Sequence, residues 1–272
     1  MKKKHKIPAM SKKDITIYPL SDFEGLRRAG RLAAETLDYI TDFVVPGVST
    51  GKLDDLLEKF MRDNGGIPAN IGYCGFPKAS CISPNHVICH GIPSENKILE
   101  SGDIINIDIT VILDGWYGDT SRMYYVGKPS IKAQRLVDTT YETMMAGIRA
   151  ARPNATLGDL GFAMQSVAEA HGYSVVEDYC GHGIGRVYHS LPNVLNYGTK
   201  GEGLKLVPGL VFTVEPMVNI GRPDTMTLSD GWTVVTRDRT LSAQFEHTIG
   251  ITPDGYEIFT LSPKGYTKPP YE

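Results

Sequence analysis

The sequence lacks both a long apolar segment and a large net charge. No run of about 18 apolar residues, the length that a membrane-spanning helix needs, occurs among its 272 residues. A formal net charge of −3 gives no general attraction to nucleic acid or to an anionic membrane. The composition, 41% hydrophobic and 22% charged, is instead that of a globular protein long enough to bury a sizeable core.

Cysteine is also scarce, and its spacing argues against a zinc ribbon or finger. The four cysteines, Cys74, Cys81, Cys89 and Cys180, include no CxxC pair. Three of them lie in or beside apolar segments that are typical of strands. We therefore expect reduced and partly buried thiols.

Positive charge is concentrated at the start of the chain. No apolar run of signal-peptide length follows the lysines there, which are Lys2, Lys3, Lys4, Lys6, Lys12 and Lys13. Such a segment is usually a solvated arm, and weak contact with an anionic surface such as the ribosome is the alternative. We expect a flexible tail over residues 1–17, a single folded domain over residues 18–272, and a cytoplasmic protein with no membrane partner.

Helix pairs and strand-rich stretches alternate twice along the chain. Apolar residues at helical spacing predict two helices between residues 21 and 64 and two more between residues 131 and 171. Ser21 and Glu24 have the spacing of a capping box, which predicts that the first helix begins at Ser21. Stretches rich in β-forming residues follow each pair, so the order favours an α/β fold of the α+β type.

A single constant shift in residue number aligns the two halves. With this shift, Gly65 aligns with Gly172, and each of these glycines marks the end of a predicted helix. Asp108 aligns with Glu215. The identities are few, and coincidence is the alternative explanation. A duplicated half-domain would place the two acids at related positions in one sheet, facing a shared centre. We therefore predict one domain of two related halves, with a mixed, largely antiparallel sheet.

The first acidic pair lies on a predicted hairpin. Asp114-Gly115 between two apolar runs is a strong hairpin signal, and with these as turn residues Asp108 opposes Ser121. Asp119 is then a diagonal neighbour of Asp108 on the same face. A pair of solvated strand acids is the alternative, but aspartate is a poor strand former and both acids have apolar neighbours. The hairpin therefore favours a metal site.

Three further candidates lie in the second half. His182 is surrounded by three glycines, which let the backbone approach a ligand closely. Glu215 ends an apolar run before Pro216, at a position typical of a strand edge or bulge. Strand alternation puts Glu246 and His247 on opposite faces, so we expect Glu246 to face the site and His247 to be a structural hydrogen-bonding residue.

Five residues are therefore candidate metal ligands: Asp108, Asp119, His182, Glu215 and Glu246. Converging carboxylates repel one another unless cations neutralise them. Two divalent cations about 3.5–4 Å apart would also lower the pKa of a shared water and supply a hydroxide for hydrolysis.

These segments resemble those of the type I methionine aminopeptidases, and the resemblance covers nearly the whole chain from about Tyr18. The matching stretches are residues 89–93, 106–122, 179–189, 213–219 and 230–249. The resemblance implies the pita-bread fold, in which a central antiparallel sheet flanked by helices forms two pseudo-symmetric halves around a dinuclear metal centre.

The resemblance also implies a role for each residue of the site. Asp108 would chelate one metal, Asp119 and Glu246 would bridge both, and His182 and Glu215 would complete the other. His90 and His189 would be substrate-binding, non-ligand catalytic histidines, with Glu215 as proton acceptor. The methionine pocket would be lined by Tyr73, Phe76, Cys81, Tyr188 and Trp232. Asn70 and Phe76, where the family commonly has Cys and Tyr, would line its mouth.

The implied activity is removal of the N-terminal methionine from nascent proteins and peptides, preferably when the second residue is small. The implied cofactors are two divalent ions of Co, Mn, Fe or Zn, and we expect a monomer. An Xaa-Pro aminopeptidase or prolidase of the same fold is one alternative, although those carry a sizeable extra N-terminal domain. A non-catalytic relative that binds ribosomes or RNA is another, but such a protein should lack the five ligands.

Overall fold

The computed structural model describes residues 15–271 and contains four α-helices and fifteen strands there. The helices are α1 (Phe23–Ile40), α2 (Thr50–Asp63), α3 (Ile131–Ala150) and α4 (Leu157–Ala170). The strands are β1 (Ile67–Pro68), β2 (Cys81–Pro84), β3 (Val87–Cys89), β4 (Ile104–Leu113), β5 (Trp116–Tyr125), β6 (Ser174–Val175), β7 (Gly181–Gly183), β8 (Ser190–Val194), β9 (Val211–Val214), β10 (Met217–Asn219), β11 (Thr225–Thr227), β12 (Val234–Thr236), β13 (Ser242–Gln244), β14 (Glu246–Thr252) and β15 (Gly255–Ile258).

A nine-stranded sheet forms the centre of the fold. Its strand order is β1-β4-β5-β14-β9-β7-β8, with β2 also paired to β4 and β15 to β14. Two three-stranded sheets, β13-β10-β6 and β11-β12-β3, complete the β-structure of the described residues. Every pairing between these strands is antiparallel, so the expectation of a mixed sheet is wrong and that of a central antiparallel sheet is confirmed.

The predicted hairpin has the predicted register. Asp114 and Gly115 both have positive φ, as a tight two-residue turn requires, and Leu113 opposes Trp116 across it. The pairing continues without a bulge along β4 and β5, and Asp108 opposes Ser121.

The first helix begins differently from the prediction. Leu20–Asp22 forms a short 3-10 helix, α1 starts at Phe23, and no side chain caps it. The predicted capping box of Ser21 and Glu24 is therefore wrong, because Ser21 is inside the preceding turn. A capping box does occur at α4, where Thr156 and Asp159 satisfy each other's backbone N–H groups.

Backbone bridges support the internal repeat. Ser49 bridges to Ile98 and Thr156 bridges to Lys205. Ser49 and Thr156 are separated by the same number of residues as Asp108 and Glu215, and so are Ile98 and Lys205. Ser49 and Thr156 also occupy the same place, as the capping residues of α2 and α4. The two halves therefore repeat one arrangement of a helix pair and strands.

Strand alternation turns the candidate acids away from the helices. In β4, Ile107 and Ile109 are buried in the core cluster that also contains residues of α1 and α2. Asp108, between the two isoleucines, must point to the opposite face of the sheet. In the second half, Phe212 and Val214 of β9 pack in the core that contains residues of α3 and α4, which leaves the residues that alternate with them on the opposite face.

The predicted tail, residues 1–17, lies mostly outside the described residues. Within the part that is described, Ile17 forms a bridge with Leu210. None of the helices in residues 15–271 is long and apolar enough to cross a membrane.

Candidate active site and metal centre

A cavity of about 760 Å³ lies on the face of the central sheet opposite the helices. All thirteen residues that the sequence predicted for the site line this cavity. They are Asn70, Tyr73, Phe76, Cys81, His90, Asp108, Asp119, His182, Tyr188, His189, Glu215, Trp232 and Glu246. Residues as far apart in the chain as Asn70 and Glu246 are therefore collected in one place.

Three adjacent strands hold three of the candidate ligands. Asp108 of β4 opposes Ser121 of β5, and Ser121 opposes Glu246 of β14, so the two acids flank Ser121 across the sheet. Asp119 lies two residues from Ser121 and therefore on the same face. This alignment follows from the strand register and places three carboxylates side by side.

His182 completes this group. Its Nε2 lies 3.5 Å from Asp119 Oδ2 and 3.7 Å from Glu215 Oε1. Ligand atoms of Asp119, His182 and Glu246 lie within 4.8 Å of one another, close enough for one metal ion to reach all three. The donor set of carboxylate oxygens and one imidazole nitrogen suits a divalent transition metal.

The glycines around His182 have a structural reason that the sequence did not show. A Cβ at Gly181 would lie 2.4 Å from the carbonyl oxygen of Thr213, and one at Gly183 would lie 2.2 Å from that of Leu191. Glycine is therefore required at both positions because neighbouring strands pack against this backbone.

The pKa values of three candidate carboxyl groups, those of Asp108, Glu215 and Glu246, are raised. Burial, followed by repulsion from Asp119 and Glu215, raises the pKa of Asp108 and of Glu246 well above the ordinary range. Burial also raises the pKa of Glu215 to about 7, although His182 opposes the shift. Bound cations would reverse this repulsion, so the residues present fit a metal centre.

The two predicted non-ligand histidines favour their neutral forms. Burial lowers the pKa of His90, and burial together with the neighbouring His182 lowers the pKa of His189 to about 4. His189 Nδ1 lies 2.9 Å from the hydroxyl of Tyr73. His90 has a positive φ of 56°, a costly conformation for a residue other than glycine, and its ring packs edge-on against Tyr179.

His247 is turned away from the cavity, as strand alternation predicts. Its Nδ1 lies 2.8 Å from the hydroxyl of Thr260, and burial lowers its pKa to about 3. The expectation that His247 is a structural hydrogen-bonding residue is confirmed.

The aromatic side chains of the cavity pack against one another. The rings of Phe76 and Trp232 make an edge contact with centroids 5.1 Å apart, and those of Tyr73 and Tyr188 lie 4.7 Å apart. Asn70 is 5% exposed and Phe76 4% exposed. Both are buried and line the cavity, and their position at its mouth stays a prediction.

Three further contacts with the candidate ligands were not foreseen from the sequence. Gln244 Nε2 donates to Glu215 Oε2 at 3.3 Å, and Thr213 donates to Glu215 Oε1 at 2.7 Å. Thr110 donates to Asp119 Oδ1 at 2.8 Å. Thr110, Thr213 and Gln244 each lie two residues from a candidate ligand in a strand or its extension, so the alternation that placed the acids could have identified them.

All four cysteines line the same cavity. None forms a disulfide; Cys81 and Cys89 are buried, Cys180 is half-buried, and Cys74 is exposed. Burial raises the pKa of Cys180 to about 11 and those of Cys81 and Cys89 well above the usual value. The expectation of reduced, partly buried thiols agrees with these positions.

Comparisons with known proteins identify the family. The model of metallopeptidase family M24 matches residues 24–253. The chain is 61% identical to the methionine aminopeptidase of Rickettsia prowazekii (strain Madrid E) over 94% of its own length and 99% of the relative. It is 50% identical to the methionine aminopeptidase of Escherichia coli (strain K12) over 91% of its own length and 94% of the relative.

Solved structures agree with the sequence comparisons. The crystal structure of methionine aminopeptidase from Rickettsia prowazekii matches with a TM-score of 0.90 and 61% identity, over 91% of this chain and 100% of that one. The prolidase from Pyrococcus furiosus shares only the fold, with a TM-score of 0.71 and 22% identity, and the match spans 90% of this chain and 65% of the prolidase. The chain therefore belongs to metallopeptidase family M24 and, within it, to the type I methionine aminopeptidases.

Proposed function

We propose that Asp108, Asp119, His182, Glu215 and Glu246 hold two divalent metal ions, and that the site uses them to remove N-terminal methionine from nascent polypeptides. Removal of an N-terminal methionine is the activity for which its methionine aminopeptidase relatives are named. One observation carries the proposal: four acids and an imidazole from five separate segments converge in one cavity, where burial raises the pKa values of Asp108 and Glu246.

The arrangement supports a division of the ligands between two ions. In the strand order β4-β5-β14-β9-β7, Asp119 of β5 and Glu246 of β14 lie between Asp108 on one side and Glu215 and His182 on the other, which suits bridging carboxylates. Asp108, on β4, would then complete the ligand set of one ion. His182 and Glu215 would complete the ligand set of the other. When bound, the ions would lower the pKa of a water molecule and polarise the scissile carbonyl.

The remaining chemistry belongs to side chains of this chain. Glu215 accepts the proton of the attacking water and passes it to the leaving amine, which is the role of a general base. His90 and His189 donate hydrogen bonds to the substrate amide or to the tetrahedral intermediate. Their lowered pKa values keep both rings uncharged at neutral pH.

The methionine side chain of the substrate occupies the aromatic part of the cavity. An apolar wall suited to a thioether is offered there by Tyr73, Phe76, Cys81, Tyr188 and Trp232. Asn70, beside Cys81 and Tyr188, adds an amide to this wall. A preference for a small second residue is part of the proposal.

Calorimetric titration of chelator-treated protein with Mn, Fe, Co and Zn ions tests the metal proposal. We expect binding of two ions per chain, with affinity rising between about pH 6 and about pH 8, because ligand carboxyls must lose their protons to bind metal and that of Glu215 has a pKa of about 7. An affinity that fell with rising pH, or the absence of binding, would contradict the proposal. Oxygen-rich ligation with a single imidazole suits each of these metals, so the titration also ranks them.

The basic segment at the start of the chain is proposed to give weak contact with the ribosome. The lysines from Lys2 to Lys13 supply an electrostatic attraction to ribosomal RNA that salt should screen. Deletion of residues 1–13 is expected to reduce co-sedimentation with ribosomes at low salt while leaving hydrolysis of short peptides unchanged. Equal co-sedimentation of the full and shortened chains would refute the contact.

We also propose that the chain acts as a cytoplasmic monomer with one catalytic domain over residues 18–272. The match to the family model runs over residues 24–253, which supports one domain. Light scattering of the purified chain tests the monomer: a mass near 29.8 kDa supports it, and twice that mass refutes it.

A further inference from the structure

A line of hydrogen-bonding groups runs through the cavity wall to Asp119. Thr110 Oγ1 lies 2.8 Å from Asp119 Oδ1 and 2.6 Å from the hydroxyl oxygen of Tyr188. That hydroxyl lies 3.2 Å from Asn70 Oδ1. Asn70, Thr110 and Asp119 are all buried, so water does not compete for these contacts. We call these four residues the Asn70–Asp119 chain.

The number of available protons determines which group donates in each hydrogen bond of the Asn70–Asp119 chain. Thr110 and Tyr188 each carry one hydroxyl proton, and an ionised Asp119 can only accept. Thr110 must then donate to Asp119, and Tyr188 must donate to Thr110. The Tyr188 oxygen is left to accept, and the Asn70 amide donates to it when the amide group is flipped. The flip turns Asn70 Oδ1 toward the thiol of Cys81, which can donate, in place of the Nδ2 that lies 3.8 Å from Cys81 Sγ.

We propose that Tyr188 and Asn70 are positioning residues that act through Thr110 to hold the Asp119 carboxylate in the orientation that binds metal. The inference rests on the proposed function of Asp119 as a ligand. Thr110 donates to Asp119 Oδ1, and Oδ2 lies 3.5 Å from His182 Nε2. The hydrogen bond fixes the plane of the carboxylate, while each oxygen keeps a lone pair that can bind metal. Outer hydrogen bonds of this kind orient metal-binding carboxylates and increase their affinity.

The ring of Tyr188 is fixed well enough to hold its hydroxyl in place. It stacks on Tyr117 with centroids 5.7 Å apart and lies 4.0 Å from the ring of His189. The same ring lines the cavity proposed for the substrate side chain. Tyr188 therefore links that part of the cavity to the metal centre.

The test measures metal affinity directly, by calorimetry on chelator-treated protein, and separately measures kcat and KM. Tyr188→Phe removes one hydroxyl and keeps the ring, and Tyr117→Phe is the matched control on the neighbouring stacked ring. Thr110→Val removes the central hydroxyl at nearly constant shape, whereas Thr110→Ser retains it. The double variant Thr110→Val with Tyr188→Phe tests whether the two residues act along one path.

We expect Thr110→Val to weaken metal binding about 10- to 100-fold, with Thr110→Ser restoring most of it. Tyr188→Phe should weaken metal binding about threefold to tenfold, as loss of one buried hydrogen bond would, while Tyr117→Phe has no effect. The double variant should bind within about threefold of Thr110→Val alone, because the tyrosine acts only through the threonine.

Two results would overturn the inference: a metal affinity of Tyr188→Phe equal to that of Tyr117→Phe, or losses in the two single variants that multiply in the double variant. Both results leave the proposed function intact, since the parent protein would still bind metal. Absence of metal binding by the parent protein would instead refute the proposed function itself.

Discussion

Replacement of Asp119 or His182 by alanine is expected to abolish metal-dependent peptide hydrolysis, with a loss in kcat/KM of more than about a hundredfold. Changes to groups that only orient metal ligands already cost about 10- to 100-fold, and a ligand itself should cost more. Asp119 is central because its carboxylate lies within reach of both His182 and Glu246. The measurement is the steady-state rate on a tripeptide at saturating metal, alongside metal content.

The control for this pair is His171→Ala. His171 lies at the exposed end of α4, where its ring contacts only a backbone carbonyl. We expect its variant to keep both metal content and rate. Near parental hydrolysis by Asp119→Ala or His182→Ala would mean that the cluster is not the catalytic centre.

Glu215→Gln is expected to lower kcat by about a hundred- to ten-thousandfold, the usual contribution of a general base. Glutamine keeps the shape of the side chain and its contacts with Thr213, but it cannot accept the proton of the attacking water. Glu202→Gln, an exposed substitution in the same half of the chain, serves as the control. Unchanged kcat in Glu215→Gln would assign the proton transfer to another group.

The pH profile separates two explanations for a slow Glu215→Gln enzyme. In the parent, kcat should fall at low pH because the base becomes protonated there. A variant that has lost the base should not show this fall. Loss of metal would instead be repaired by raising the metal concentration. We expect the first result, because three of the other candidate ligands, Asp119, His182 and Glu246, still form a group that one ion can reach.

Local sequence patterns were sufficient for the parts of the fold that short-range chemistry determines. Asp114-Gly115 determined the hairpin register, and alternation along β4 and β14 then put Asp108 and Glu246 on the face opposite the helices. The repeat was also predicted from the sequence, from pairs such as Gly65 with Gly172, and the equivalent bridges of Ser49 and Thr156 support it. The convergence of distant strands was implied by the family resemblance and not by spacing.

The incorrect predictions involve contacts between distant parts of the chain or competing local turns. The cap at Ser21 failed because a 3-10 turn precedes α1. The burial of Asn70 and Phe76 against Cys81 and Trp232 was not predicted either. Such burial depends on strands and loops far away in sequence, and local propensity contains no information about it.

The most direct test of the account is hydrolysis by chelator-treated enzyme resupplied with one divalent metal at a time. Met-Ala-Ser and an Xaa-Pro peptide would be compared under identical conditions. We expect no hydrolysis without metal, and release of methionine from Met-Ala-Ser on resupply with little cleavage of the Xaa-Pro peptide. Cleavage of the Xaa-Pro peptide alone, or release of methionine that persists in chelator, would contradict a metal-dependent methionine aminopeptidase.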